Sequence, residues 1–64
     1  MNRIKELREG AGLSQAALAE KIGGVHFNTV KNWEQGNSEP RSSDLIKLAD
    51  VFDVSVEHVM GLPD

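Results

Sequence analysis

Two short amphipathic stretches that meet at a pair of glycines constrain this chain more than any other feature. In "QAALAEKI", residues 15–22, Leu18 and Ile22 stand four apart with Ala19 beside them, which is the spacing of one helical face. "GG" at 23–24 then stops the helix, because glycine takes the left-handed conformation of a helix end at little cost. "VHFNTVKNWEQG", residues 25–36, begins a second helix at once. At about 100° per residue its Val30 and Trp33 share one face, with Thr29 near them, while Phe27, Asn28, Lys31, Asn32 and Gln35 fan across roughly 140° of the other. Neither helix can bury its apolar face alone, so further elements must cover both.

The rest of the chain supplies them. Asn2 is a suitable N-cap for a first helix to about Glu9 with Ile4 and Leu7 on one face, ended by "GAG" at 10–12. Ser14 caps the second helix. "GNSEPR" reads as a loop. A fourth helix starts near Ser42 or Ser43, and its Leu45, Leu48, Ala49 and Phe52 follow the i, i+3, i+4, i+7 rule. Ser55 can cap a short fifth helix carrying Val56, Val59 and Met60, which Gly61 and Pro63 stop. No strand-type alternation, repeat or low-complexity tract interrupts this series. The expectation is a single all-α domain over residues 1–64, with five short helices. Its core should comprise Ile4, Leu7, Leu13, Leu18, Ile22, Val30, Trp33, Leu45, Leu48, Phe52, Val56 and Val59.

At 64 residues such a domain buries only about 60% of its unfolded surface and is marginally stable. The absence of cysteine removes disulfides and thiolate metal sites. The charged start "MNRIKELREG" is no signal peptide, and no apolar run reaches the roughly 20 residues of a membrane span. A soluble, cytoplasmic protein is expected. The net charge of −3 is unevenly spread: residues 1–41 hold six basic and five acidic residues, residues 42–64 one basic and five acidic. Any anion-binding surface should therefore lie in the first two thirds.

The order and spacing of "LSQAALAEKIGGVHFNTVKNWEQG", then a proline, then "LIKLADVFDVSVEHVMG" resemble the Xre family, the helix-turn-helix domains of the lambda and 434 repressor and Cro type. The resemblance covers nearly the whole chain. It implies a lambda-repressor-like fold with the helix-turn-helix at helices 2 and 3, and a regulator of transcription, usually a dimer on two-fold DNA. By position it places Ser14 and Gln15 at the DNA backbone, and Phe27, Asn28 and Asn32 at base edges. It makes Arg8 and Glu34 a partly buried ion pair between helices 1 and 3. One departure stands out. The family's helix-2 alanine is followed ten and thirteen residues later by core residues, whereas here Val30 and Trp33 lie eleven and fourteen after Ala19. The turn therefore carries one extra residue, assigned to Gly23 or Gly24.

Asn28 and Asn32, four apart, can each present an amide to adenine N6 and N7, a two-bond fit in the major groove. The plain alternative is a pair of solvated polar residues. Phe27 either packs on a thymine methyl, or is turned inward by the extra residue, or packs on the helix edge by Trp33. Lys31 is expected at bases or phosphates, the alternative being a plain exposed helix charge, and His26, Gln35, Asn37 and Arg41 join Ser14 and Gln15 as backbone contacts, which position a protein without choosing sequence. The amino end of helix 2 offers free N–H groups to a phosphate. Val54, Val56, Val59, Met60 and Leu62 exceed what a short helix readily hides, so part of this set is expected to form a dimer surface, the alternative being that it closes the core.

No catalytic or metal site emerges: there is no HExxH pair or Gly-rich phosphate loop, and His26 and His58 lack ligand spacing. No enzyme, cofactor or metal is expected. The partners expected are double-stranded DNA and a second copy of the chain, and the function is repression of transcription through an A·T-containing half-site. The rival is a protein-interaction module, such as an antagonist or antitoxin partner domain, that keeps the fold without reading DNA.

Overall fold

The computed structural model describes residues 2–63; the two ends of the expected domain, Met1 and Asp64, lie outside the described residues. Five helices follow one another: α1 Ile4–Gly10, α2 Gln15–Ile22, α3 Phe27–Gln35, α4 Ser42–Phe52 and α5 Val56–Met60. Among the described residues there is no strand. The fold is the expected all-α arrangement.

Local hydrogen bonds explain where each helix begins. Ser14 Oγ accepts from Ala17 N at 3.0 Å and Ser55 Oγ from His58 N at 3.0 Å, the reach of a serine cap to the third helical amide. Asp44 Oδ2 accepts from Arg41 N at 3.1 Å, the reciprocal arm of a capping box, and this starts α4 at Ser42. At α1 the expected cap shifts by one residue. Asn2 Oδ1 does accept from Ile4 N at 3.0 Å, but Arg3 occupies the cap position. The Asn2 amide also donates to the Trp33 carbonyl at 3.0 Å, tying the chain's start to the end of α3.

Residues 23–26 join α2 to α3. Gly23 and Gly24 both take positive φ, +78° and +76°, a conformation open to glycine and costly for other residues. Two successive positive-φ residues make this turn, and Val25 returns to the core margin.

Ile4, Leu18, Ala19, Ile22, Val30, Trp33, Leu48, Ala49 and Val59 form the buried core. α3 lies chiefly on α2 and touches α1, while α4 bridges α2 and α5. Burial of side chains such as Leu18, Val30 and Leu48 contributes roughly 1.5–3 kcal/mol each. Leu7, Leu13, Leu45, Phe52 and Val56, expected in the core, are half-buried around it. Ala19 and Ala49 are small enough to be buried, at 4% and 8% exposure, where helices approach. The dimer-surface expectation needs one correction. Val59 is 0% exposed, so its side chain closes the core and is not part of an exposed surface, and its carbonyl accepts from Arg3 N at 2.9 Å. Val54 and Val56 are half-buried against the core, while Met60 and Leu62 remain 40% and 45% exposed. Arg3 completes this closure: its Nη1 lies 2.9 Å from His58 Nδ1 and donates to the His58 carbonyl at 3.1 Å.

Candidate nucleic-acid interface

The outward face of α3 is built by subtraction. Val30 and Trp33 are buried and Thr29 is half-buried, which leaves Phe27, Asn28, Lys31, Asn32 and Gln35 exposed on the opposite side. The helix ends at Gly36, whose N–H bonds the Trp33 carbonyl at 3.3 Å. Nine residues at about 1.5 Å rise give a rod of about 13 Å, comparable with a major groove about 12 Å wide.

The start of α3 is more ordered than its sequence suggested. His26 takes the cap position, and its Nδ1 accepts from Asn28 N at 3.2 Å. Phe27 is not turned inward: it is 44% exposed, and its ring lies 4.4 Å, centroid to centroid, from the His26 ring at an interplanar angle of 35°. Histidine is not among the residues preferred at N-caps, so nothing local marked this role.

Beneath the outward face, one node fixes how α3 leans on α1 and α2. Arg8 Nε donates to Glu34 Oε2 at 2.6 Å and Nη2 to Oε1 at 3.2 Å, while Nη1 donates to the Leu13 carbonyl at 2.8 Å. The side chains are 11% and 3% exposed. The Glu34 hydrogen bond raises the Arg8 pKa above its ordinary value, against the opposing effect of desolvation. Gln15, expected at the DNA backbone, donates its Nε2 to Glu34 Oε1 at 3.0 Å. Its amide is thus part of the node that holds α2 to α3, and spacing alone carried no sign of this bond.

The other expected backbone residues are all exposed. Gln35 and Asn37 are exposed and bond each other, Asn37 Nδ2 to Gln35 Oε1 at 3.1 Å. Arg41 is exposed at the head of α4. Ser14 is exposed with its hydroxyl engaged in capping α2. No described helix is long and apolar enough to cross a membrane.

Comparison with known proteins agrees with this geometry. The HTH_3 helix-turn-helix family profile matches residues 4–59. The HTH-type transcriptional regulator ImmR of Bacillus subtilis (strain 168) is 34% identical over 59 residues, covering 92% of this chain and 46% of its own length. The HTH-type transcriptional regulator YobD of the same organism is 36% identical over 62 residues, covering 97% and 54%. The chain therefore spans about half the length of these relatives. Among solved structures, the P22 c2 repressor in complex with a synthetic operator superposes with a TM-score of 0.84 at 28% identity, covering 91% of this chain and 86% of that one. Five helices in this order, a glycine turn between α2 and α3, and a family match across nearly all of them place the chain in the helix-turn-helix family, to which it belongs.

Proposed function

We propose that this chain is a sequence-specific, double-stranded-DNA-binding domain of a transcriptional regulator, acting as a repressor, with α3 in the major groove. The observation that carries the reading is the outward face of α3: Asn28, Lys31 and Asn32 are exposed with no side-chain partner among the described residues, on a helix whose other face buries Val30 and Trp33. Asn amides suit adenine edges, so an A·T-containing half-site follows. Lys31, Arg41 and the amino end of α2 at Ser14 supply phosphate contacts. Likeness to a repressor bound to its operator supports the same reading.

A homodimer follows from the same logic, with half-sites about 34 Å apart. Met60 and Leu62 are its exposed apolar residues at the α5 end. Repression would act by occupying DNA that polymerase needs, in the cytoplasm.

The rival, a protein-interaction module, draws on the net charge of −3 and on exposed Phe27. Selection from a random duplex library, followed by bandshift titration across salt, separates the two. DNA binding should select a two-fold sequence and weaken steeply with salt, because phosphate contacts release counterions. No enriched sequence, or selected binding indifferent to Asn28→Ala and Asn32→Ala, would overturn the proposal.

A further inference from the structure

We propose that His26 is a positioning residue that holds Phe27 as a fixed apolar reader of a pyrimidine C5-methyl group. The inference rests on the DNA-reading role proposed above and specifies what the first turn of α3 recognises.

Phe27 opens α3 and leaves a large apolar ring 44% exposed. On the helical wheel it sits about 40° from Lys31 and about 100° from Asn28, so it shares their outward face. One side of the ring is covered by a neighbour, since the His26 ring lies tilted against it at 4.4 Å. His26 is itself anchored, because its Nδ1 accepts the Asn28 backbone N–H at 3.2 Å. An accepting Nδ1 carries no proton, so the hydrogen of the neutral ring sits on Nε2, at the opposite edge. Backbone amide, imidazole and phenyl thus form a short chain that orders an exposed side chain before any partner arrives. Ordering a side chain on binding normally opposes association, and the His26 contact lowers that cost.

The chemistry of the ring narrows its target. Phenyl has no hydrogen-bonding group, so it cannot distinguish the donors and acceptors of base edges. The apolar group displayed in the major groove is the C5-methyl of thymine, and 5-methylcytosine carries the same group on the same carbon. A preformed aromatic surface at the head of a recognition helix suits that methyl.

The test replaces thymine by uracil, one position at a time, in a site selected by the protein. This removes one methyl and leaves base pairing intact. At one position per half-site, loss of the methyl should weaken binding about fourfold, the effect of one buried carbon. Phe27→Ala should bind thymine and uracil alike there. His26→Asn keeps a capping acceptor, and a favoured one, but removes the ring; it should melt no lower than the native protein while most of the thymine preference is lost. Native protein indifferent to uracil at every position, or a thymine preference that survives Phe27→Ala, would overturn the reading. Full preference in His26→Asn would overturn the positioning role. A protein that selects no DNA would overturn the proposed function and this inference together, whereas selection without methyl sensitivity overturns only the inference.

Discussion

Arg8 and Glu34, on α1 and α3, meet through two hydrogen bonds of 2.6 and 3.2 Å, and neither side chain is more than 11% exposed. Further contacts from Gln15 to Glu34 and from Arg8 to the Leu13 carbonyl satisfy groups that burial would otherwise leave bare. A pair of this kind is weak evidence for net stability, but breaking it is costly because one charge stays buried alone. Glu34→Ala should therefore lose about 3 kcal/mol in urea unfolding, a large share of what a small domain has. Arg8→Met with Glu34→Leu should lose less than the single change. An unchanged melting temperature in Glu34→Ala would remove the pair from the account of stability.

The same pair fixes a pH response. The folded-state pKa of Arg8 is raised above its unfolded value. Its contribution is thus fully present below the unfolded arginine value and is lost only as pH rises through the still higher folded one. Melting temperatures of the native protein and of Arg8→Met should keep a constant difference from neutral to mildly alkaline pH.

Ser14 and Ser55 make the same cap bond at 3.0 Å to α2 and α5. Each alanine substitution should cost about 1 kcal/mol of stability. In DNA titration only Ser14→Ala should weaken binding further, because the amino end of α2 is the one proposed to meet a phosphate.

Asn28 and Asn32 are exposed, so their alanine variants should unfold like the native protein. Each should weaken binding to the selected site by about 1–3 kcal/mol if it makes a two-bond base contact. Lys31→Ala should instead lower the slope of log affinity against log salt by about 1. Equal salt slopes in all three variants would count against the assignment of Lys31 to phosphate.

Gly23 has φ of +78° and ψ of 141°, a region essentially confined to glycine. A Cβ there would meet nothing within 4 Å, so the whole penalty of Gly23→Ala is backbone strain, about 1–3 kcal/mol. Thermal melting of this variant checks the size of that term free of steric overlap.

The starts of α2, α4 and α5 and the ends at glycine were readable in the chain because they are decided locally, whereas α1 is capped by Arg3 instead of Asn2 and α3 begins at Phe27, two residues later than read. Serines at 14 and 55, glycines at 23, 36 and 61, and the spacing of Leu18 with Ile22 and of Val30 with Trp33 act within one or two turns. The outward set on α3 followed from periodicity alone. Phe27 stayed open between inside and outside, since the extra turn residue left its phase to the geometry of residues 23–26. The role of His26 was hidden because its ring serves an amide two residues on and its stacking partner is the next side chain, a conformation that no apolar pattern encodes.

The sequence by itself determined five helices, the turn between α2 and α3, and which face of each helix is apolar, because propensity and side-chain period are properties of short segments. Tertiary structure decided how the polar groups at the helix junctions are satisfied. Asn2 reaches the Trp33 carbonyl, Arg3 reaches His58 and Gln15 reaches Glu34, across separations of 31, 55 and 19 residues. It also decided that Val59 closes the core while Met60 and Leu62 stay exposed. Such choices depend on where distant backbone carbonyls and side chains come to rest after the apolar faces have packed, and a helical period carries no record of that.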